Sequence, residues 1–146
     1  MPSPEHPLTG RCACGAVRFV VTQPFQSAGY CHCRRCRRRS GVPWSYNGLV
    51  ATSGFELTAG SETVSHWQPE GGGRRKSFCR SCGGHLFSGD PEREDDLAVR
   101  LGAVEGDPEV EPTWRMWISS APDWCPIPED GLPRFTESRT TEQPHG

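Results

Sequence analysis

The feature of this chain that most constrains its fold is the grouping of seven of its eight cysteines into three short clusters. The clusters are Cys12-Ala13-Cys14, Cys31-His32-Cys33-Arg34-Arg35-Cys36 and Cys79-Arg80-Ser81-Cys82. Thiols one or two residues apart are well placed to share a metal ion, and zinc prefers four such thiolates in a tetrahedron. The outer clusters together supply four ligands and the middle cluster supplies three. The sequence therefore predicts one closed zinc site and one site with an open coordination position.

The composition limits the classes of protein that this chain can be. Its 146 residues suit one domain, and 17 glycines with 14 prolines leave a thin apolar core that metal crosslinks would reinforce. No apolar run reaches the length of a membrane span, and residues 1–8 lack the charged start and apolar stretch of a signal peptide. We therefore expect a cytoplasmic protein with no membrane partner.

A disulfide framework is the main alternative to metal binding. Eight cysteines are an even number, as such a framework requires. The missing signal peptide, the ordinary length and the isolated Cys125 argue against it, because cysteines in a reducing compartment more often bind metals or act in catalysis. Zinc binding is the favoured interpretation.

Hydrophobic alternation predicts a mainly β fold of short strands. In residues 15–22, Val17, Phe19 and Val21 fall on one face, which is typical of a half-buried strand. Further strands are predicted between clusters of Gly, Pro, Asn and Ser. They are residues 45–51, 56–58, 63–67, 85–87 and 97–101.

The rest of the chain is predicted as one helical turn, loops and mobile ends. The turn covers residues 34–40 and ends near Gly41. The expected organisation is a flexible N-terminus at 1–8, one domain at 9–136 and a flexible C-terminal tail at 137–146.

The outer clusters are predicted to form the closed site. Cys12 and Cys14 would point the same way if they lie at positions i and i+2 of a strand. The spacing from Cys79 to Cys82, followed by Gly83, is that of a zinc knuckle, in which backbone N–H groups bond the thiolates and Gly takes a left-handed conformation. A zinc ribbon made by Cys33-x-x-Cys36 and Cys79-x-x-Cys82 is a weaker alternative, because it leaves three cysteines without a role.

The middle cluster is predicted to be the open site. An extended segment would face Cys31 and Cys33 to one side, and a following turn would bring Cys36 to join them. Three thiolates on zinc leave one position for an incoming thiolate, which would be a nucleophile toward a small carbonyl compound. The alternative is a second structural zinc closed by a fourth protein ligand, for which Cys125 is the candidate. His32 is expected to face away from the ion.

A run of arginines follows the middle cluster, and its predicted ligand-binding members are Arg34, Arg35 and Arg37. Arginine binds carboxylates through two parallel hydrogen bonds, so an acidic substrate that carries a thiol would suit this rim. Contact with nucleic acid and a plain solvated face are the other interpretations. The net charge of −2 disfavours nucleic acid.

The three clusters in this order resemble one known family. The segments that carry the resemblance are Gly10-Arg11-Cys12-Ala13-Cys14-Gly15, Cys31-His32-Cys33-Arg34-Arg35-Cys36, Ser40-Gly41, and Phe78-Cys79-Arg80-Ser81-Cys82-Gly83-Gly84-His85. Together they are similar to the glutathione-dependent formaldehyde-activating enzymes, a family that includes the zinc domain of centromere protein V. The resemblance covers residues 9–135 and is looser near its C-terminal end.

The resemblance implies a β-tent-like fold of short antiparallel strands with two zinc ions. It assigns a structural zinc to Cys12, Cys14, Cys79 and Cys82, and a catalytic zinc to Cys31, Cys33 and Cys36. It also implies a carbon–sulfur lyase or synthase activity that joins glutathione and formaldehyde into S-hydroxymethylglutathione. The chain departs from the family pattern in its closing segment, where it has Arg115-Met116 in place of a His-Ile pair.

The leading functional hypothesis is therefore a zinc-dependent carbon–sulfur lyase or synthase with glutathione as its co-substrate. A non-enzymatic zinc module that contacts a protein or nucleic acid through the arginine run is the alternative. A third hypothesis keeps the thiol chemistry and changes the carbonyl substrate.

Overall fold

The computed structural model describes residues 1–139, and it confirms the prediction of a mainly β fold with antiparallel sheets. The last seven residues of the tail predicted at 137–146, residues 140–146, lie outside this range. None of the helices formed by residues 1–139 has the length and apolar character needed to cross a lipid bilayer.

The described chain forms eleven strands and one α-helix, joined by turns and four short 3₁₀ segments. In chain order they are β1 (Leu8–Arg11), β2 (Arg18–Val21), β3 (Ser27–Cys31), α1 (Arg34–Ser40), β4 (Ser45–Ala51), β5 (Phe55–Ala59), β6 (Val64–Trp67), β7 (Lys76–Cys79), β8 (His85–Ser88), β9 (Asp96–Arg100), β10 (Val104–Glu105) and β11 (Pro112–Met116).

The chain divides into two compact units, and β4 passes from one to the other. Unit 1 comprises Met1–Gln26 and Gly48–Val110, and unit 2 comprises Ser27–Asn47 and the residues from Glu111 onward. Unit 1 contains a four-stranded antiparallel sheet in the order β10-β1-β2-β5, and antiparallel strands in the order β9-β8-β7-β6.

Unit 1 has an aromatic and aliphatic core. Val17, Phe19 and Val21 are all buried, which confirms the predicted apolar face of the second strand, although that strand begins later than expected at Arg18. The ring of Phe55 packs between Phe19 at 5.1 Å and Phe87 at 4.9 Å. Burying such rings makes a large favourable contribution to folding.

Unit 2 is built on a parallel pair of strands, β3 and β11. Arg115 lies opposite Tyr30, and Met116 lies opposite Cys31. Trp114 is buried over Gly29, and its Nε1–H donates to the hydroxyl of Ser27 at 3.3 Å. This pairing joins the segment that carries the middle cysteine cluster to a strand more than 80 residues later.

The helix α1 confirms the predicted helical turn at residues 34–40. It begins after Cys33, whose thiol accepts the Cys36 N–H, and it ends at Gly41 in a left-handed conformation with φ of 76°. A glycine suits that end because it has no Cβ to clash in this region of backbone space. The helix therefore ends where the sequence places a glycine cap, and it is only seven residues long.

We expect Gly29→Ala to destabilise unit 2 by about 3 kcal/mol or more. Overpacking a core usually costs about 1–3 kcal/mol, and the cost is at the upper end when the neighbouring atoms cannot move aside. An added Cβ would lie 2.1 Å from a carbon of the Trp114 ring, so the ring and β11 would have to move. Gly41→Ala is the matched control, because its Cβ meets open space and only the positive φ is strained, at about 1 kcal/mol. Urea unfolding measures both, and equal losses would contradict this packing.

Candidate metal centres

The closed site is assembled in unit 1 by two turns. Cys12 follows the last residue of β1, and Ala13 and Cys14 form a turn closed by the Gly15 N–H, which donates to the Cys12 carbonyl at 3.1 Å. Cys79 ends β7, and the Gly83 N–H donates to its carbonyl at 2.8 Å. The expectation that Cys12 and Cys14 share one face of a strand is wrong, because the chain turns after Arg11.

The four sulfur atoms of this site have the spacing that zinc requires. The Sγ atoms of Cys12, Cys14, Cys79 and Cys82 all lie within 4.8 Å of one another. Cys12 and Cys14 are 3.7 Å apart, and Cys14 and Cys79 are 3.8 Å apart. Tetrahedral zinc with bonds of about 2.3 Å places its sulfurs about 3.8 Å apart, whereas a disulfide needs about 2.05 Å. The residues therefore fit a zinc ion and do not fit a disulfide.

Backbone N–H groups point at these thiols, as a zinc knuckle requires. The Val17 N–H donates to the Cys12 sulfur at 3.3 Å, and the Gly84 N–H donates to the Cys82 sulfur at 3.4 Å. Gly83 has φ of 76°, which confirms the left-handed turn predicted for it. Hydrogen bonds from the backbone N–H groups of Cys14 and Gly84 lower the pKa of Cys82 to about 6. This stabilised thiolate is the form that binds a metal.

The open site lies in unit 2, where β3 ends and α1 begins. Cys31 is the last residue of β3, Cys33 is extended with φ of −62° and ψ of 156°, and Cys36 lies in the first turn of α1. Their sulfur atoms lie within 4.8 Å of one another. This arrangement confirms the prediction that an extended pair and a following turn would converge.

The donor set of this second site is compatible with zinc after a small adjustment. Cys33 and Cys36 have sulfurs 3.2 Å apart, so sharing one tetrahedral ion requires them to separate by about 0.6 Å. The thiols of Cys33 and Cys36, together with burial, raise the pKa of Cys31 well above its usual value. A cation among the three sulfurs would reverse this effect, because it stabilises thiolates.

The structure brings no fourth protein ligand to these three thiols among residues 1–139. Cys125, the candidate for that role, does not join the group. The zinc-ribbon alternative is wrong, since Cys79 and Cys82 group with the cysteines that follow β1. The disulfide framework is wrong as well, because all eight cysteines are free thiols.

His32 lies between two members of the open cluster in the chain, but its ring nitrogens are not among the grouped ligand atoms. Its side chain is only 2% exposed, and its Nε2 lies 3.2 Å from an Nη1 of Arg115. Burial and the charge of Arg115 lower the pKa of His32 to about 4. The ring is therefore neutral at physiological pH and is held by protein neighbours.

The arginines of α1 divide into exposed and anchored side chains. Arg34 and Arg38 are exposed, whereas Arg35 and Arg39 are half-buried. The Nη1 of Arg37 donates to the Ser120 carbonyl at 2.8 Å and fastens the helix to the segment after β11. Arg37 thus has a structural contact in addition to the ligand-binding role predicted for it.

Two residues beside the open site were not predicted to matter. Arg115 is 5% exposed, and its Nη2 donates to an Asp130 carboxylate oxygen at 2.6 Å. This bond is the main cause of the lowered pKa of Asp130. The sequence marks Arg115 only as a departure from a family pattern, and nothing in the spacing of Asp130 connects it with the cysteines.

A profile of the family described as glutathione-dependent formaldehyde-activating enzyme matches residues 7–120. The chain belongs to this family. The resemblance inferred from the three clusters is confirmed. Since the matched range ends at residue 120, the looser similarity near the C-terminus, where Asp130 lies, is beyond it.

Two named relatives and one solved structure accompany this family assignment. A Halomonas elongata protein, provisionally named a glutathione-dependent formaldehyde-activating enzyme, is 29% identical over 126 residues, covering 82% of this chain and 80% of that protein. A Sordaria macrospora protein with the same name is 26% identical over 99 residues, covering 58% of this chain and 38% of that protein. A crystal structure of a Rhodobacter sphaeroides protein superposes with a TM-score of 0.57 at 27% identity, covering 68% of this chain and 89% of the other.

Proposed function

We propose that this family member is a zinc-dependent enzyme that forms a carbon–sulfur bond between glutathione and formaldehyde, giving S-hydroxymethylglutathione. The observation that carries the proposal is the convergence of three thiols, from Cys31, Cys33 and Cys36, with no fourth protein ligand among residues 1–139. A donor set one short of four suits a site that accepts a substrate thiol. The family description supports the choice of glutathione and formaldehyde.

The two cysteine groups would hold two zinc ions with different roles. Cys12, Cys14, Cys79 and Cys82 supply all four ligands and would hold a structural zinc in unit 1. Cys31, Cys33 and Cys36 would hold the catalytic one. Zinc bound there supplies a Lewis acid that keeps a thiol deprotonated at neutral pH.

The reaction itself is a simple addition. The sulfur of glutathione bonds to the carbon of formaldehyde, the carbonyl π bond opens onto its oxygen, and the proton lost by the thiol ends on that oxygen. No oxidant or reductant is needed. The protein contributes by holding the sulfur and aligning it with the small aldehyde.

The arginines after the open cluster would bind the carboxylates of the tripeptide. Arg34 is exposed in the first turn of α1, and Arg35 is half-buried next to it. Arg37 keeps guanidinium N–H groups for a ligand beyond the one that it gives to Ser120. Paired hydrogen bonds from such side chains hold a carboxylate in one orientation, and the guanidinium charge balances its negative charge.

X-ray absorption at the zinc edge, with and without glutathione, tests this proposal. We expect about two zinc ions per chain, with the average number of sulfur neighbours rising from about 3.5 to about 4 when glutathione binds. S-methylglutathione has no thiol and should leave the spectrum unchanged. Carbon-13 NMR should show S-hydroxymethylglutathione forming faster than without protein.

Two other outcomes would contradict different parts of the proposal. One zinc per chain, unaffected by glutathione, would overturn the proposal and favour a non-enzymatic module. Glutathione that coordinates without any acceleration of the formaldehyde reaction would overturn the choice of formaldehyde and leave a thiol enzyme with another carbonyl substrate.

A further inference from the structure

Three side chains form a hydrogen-bonded chain that runs from Asp130 through Arg115 to His32. One Asp130 oxygen accepts from Arg115 Nη2 at 2.6 Å and Nε at 3.2 Å. The same guanidinium reaches His32 Nε2 from Nη1 at 3.2 Å and lies 4.2 Å over the ring of Tyr30. The imidazole and the guanidinium are buried, so both ends of this contact are shielded from water.

The positions of the protons in this hydrogen-bonded network follow from the donor and acceptor groups of its side chains. A guanidinium carries only donors and is not deprotonated in proteins, so Arg115 donates and His32 Nε2 accepts. The neutral ring then carries its proton on Nδ1. Since Nε2 faces Arg115, Nδ1 is the nitrogen left for the hydrogen bond between the ring and the backbone of Pro43. Both ring nitrogens of His32 are therefore used by the protein.

The backbone of the same residues is fixed as well. The His32 N–H donates to the Met116 carbonyl at 3.0 Å, which extends the pairing of β3 with β11 by one residue. The Leu132 N–H donates to the second oxygen of Asp130 at 3.2 Å. His32 is thus held at its backbone and at both ring nitrogens, and Cys31 and Cys33 lie on either side of it.

We propose that Arg115 and Asp130 are positioning residues that fix the ring of His32 and, through it, the direction of the Cys31 and Cys33 thiols toward one metal ion. The inference rests on the metal-binding role proposed for the open site. Residues that orient metal ligands without touching the ion commonly weaken metal binding about 10–100-fold when they are replaced.

The contacts of Arg115 depend on the shape of its guanidinium group as well as on its positive charge. Lysine has the charge of Arg115, but its single ammonium group lacks the planar fork that reaches Asp130 and His32 from different nitrogens. Arg115→Lys is therefore expected to weaken the open site. Arg134→Lys is the matched control, because Arg134 lies on the neighbouring segment and contacts the Pro128 carbonyl and Glu129 instead.

Exchange of cobalt(II) into the folded, zinc-loaded protein tests the proposal, with thiolate-to-cobalt absorption as the readout. The closed site in unit 1 is an internal control and should bind cobalt equally in every variant. At the open site we expect Arg115→Lys and Asp130→Asn to bind cobalt about 10–100-fold more weakly than the wild type and Arg134→Lys.

A pair of His32 variants separates positioning from packing. His32→Gln can place an acceptor near the Nε2 position, facing Arg115, whereas His32→Asn can mimic only the Nδ1 donor that faces Pro43. We expect His32→Gln to retain most of the open-site affinity and His32→Asn to lose it, at similar thermal stability. If Arg115→Lys fails to fold, this pair of variants still tests whether the His32 ring orients the open site.

The outcomes distinguish this inference from the proposed function. If the wild type binds cobalt only at the closed site, the proposed function fails. If the wild type fills both sites while Asp130→Asn and His32→Asn bind as tightly as it does, the positioning role is overturned and the catalytic proposal stands.

Discussion

Replacing Cys79 with serine is expected to abolish the cooperative folding of unit 1 and the binding of one zinc ion. Cys79 is fully buried, ends β7 and lies 3.8 Å from the Cys14 sulfur. A structural zinc contributes roughly 10–16 kcal/mol to folding in small domains, which is as large as the whole stability of a typical domain, about 5–15 kcal/mol. Serine is a poor zinc ligand, so most of that contribution would be lost.

Circular dichroism during thermal unfolding, together with the metal content, measures this effect. Cys125→Ser is the matched control, since it makes the same chemical change at a half-buried thiol outside both clusters. It should keep two zinc ions and the wild-type transition. A Cys79→Ser protein with an unchanged melting transition would mean that the closed site does not support the fold.

Replacing Cys36 with serine is expected to remove activity and one zinc ion while leaving the protein folded. Turnover of glutathione and formaldehyde should fall to the rate without protein, and the metal content should fall from about two zinc ions to about one. The fold should remain, because the cap of α1 is the Cys33 sulfur accepting the Cys36 N–H, a backbone group that serine keeps. The substitution therefore removes a ligand without removing the contact that begins the helix.

The same two measurements, made beside Cys79→Ser, separate the roles of the two clusters. Product formation followed by carbon-13 NMR gives the activity, and thermal unfolding gives the stability. Global unfolding of Cys36→Ser would identify the middle cluster as structural. Full activity with a single zinc would place the chemistry elsewhere in the molecule.

The sequence predicts those parts of this protein that depend on local spacing. The strand at 45–51 and the helix at 34–40 have the bounds expected for them. Both are marked by nearby signals: Gly, Pro, Asn and Ser around the strand, and Gly41 at the helix end. The grouping of the cysteines is also correct, because ligand type and spacing restrict what four or three thiols can share.

The sequence does not predict the features that depend on distant residues. The strands β3 and β11 are buried parallel partners with bulky and small residues facing each other, and neither shows the polar alternation of an exposed strand. The contact of Arg115 with His32 exists only because this pairing brings them together. A turn at Ala13 and Cys14 also redirects the first cluster, although its sulfurs still meet.

The long separation between β3 and β11 has a consequence for the newly made chain. His32 and Arg115 are 83 residues apart, so at a synthesis rate of about 5–20 residues per second the ribosome needs about 4 to 17 s to supply the second strand after the first. Throughout that interval the three thiols of the middle cluster lack the strand that holds His32 in the folded protein. All four cysteines of the closed site have been synthesised once Cys82 is added, before β11, so we expect a first ion to bind there before a second binds the middle cluster.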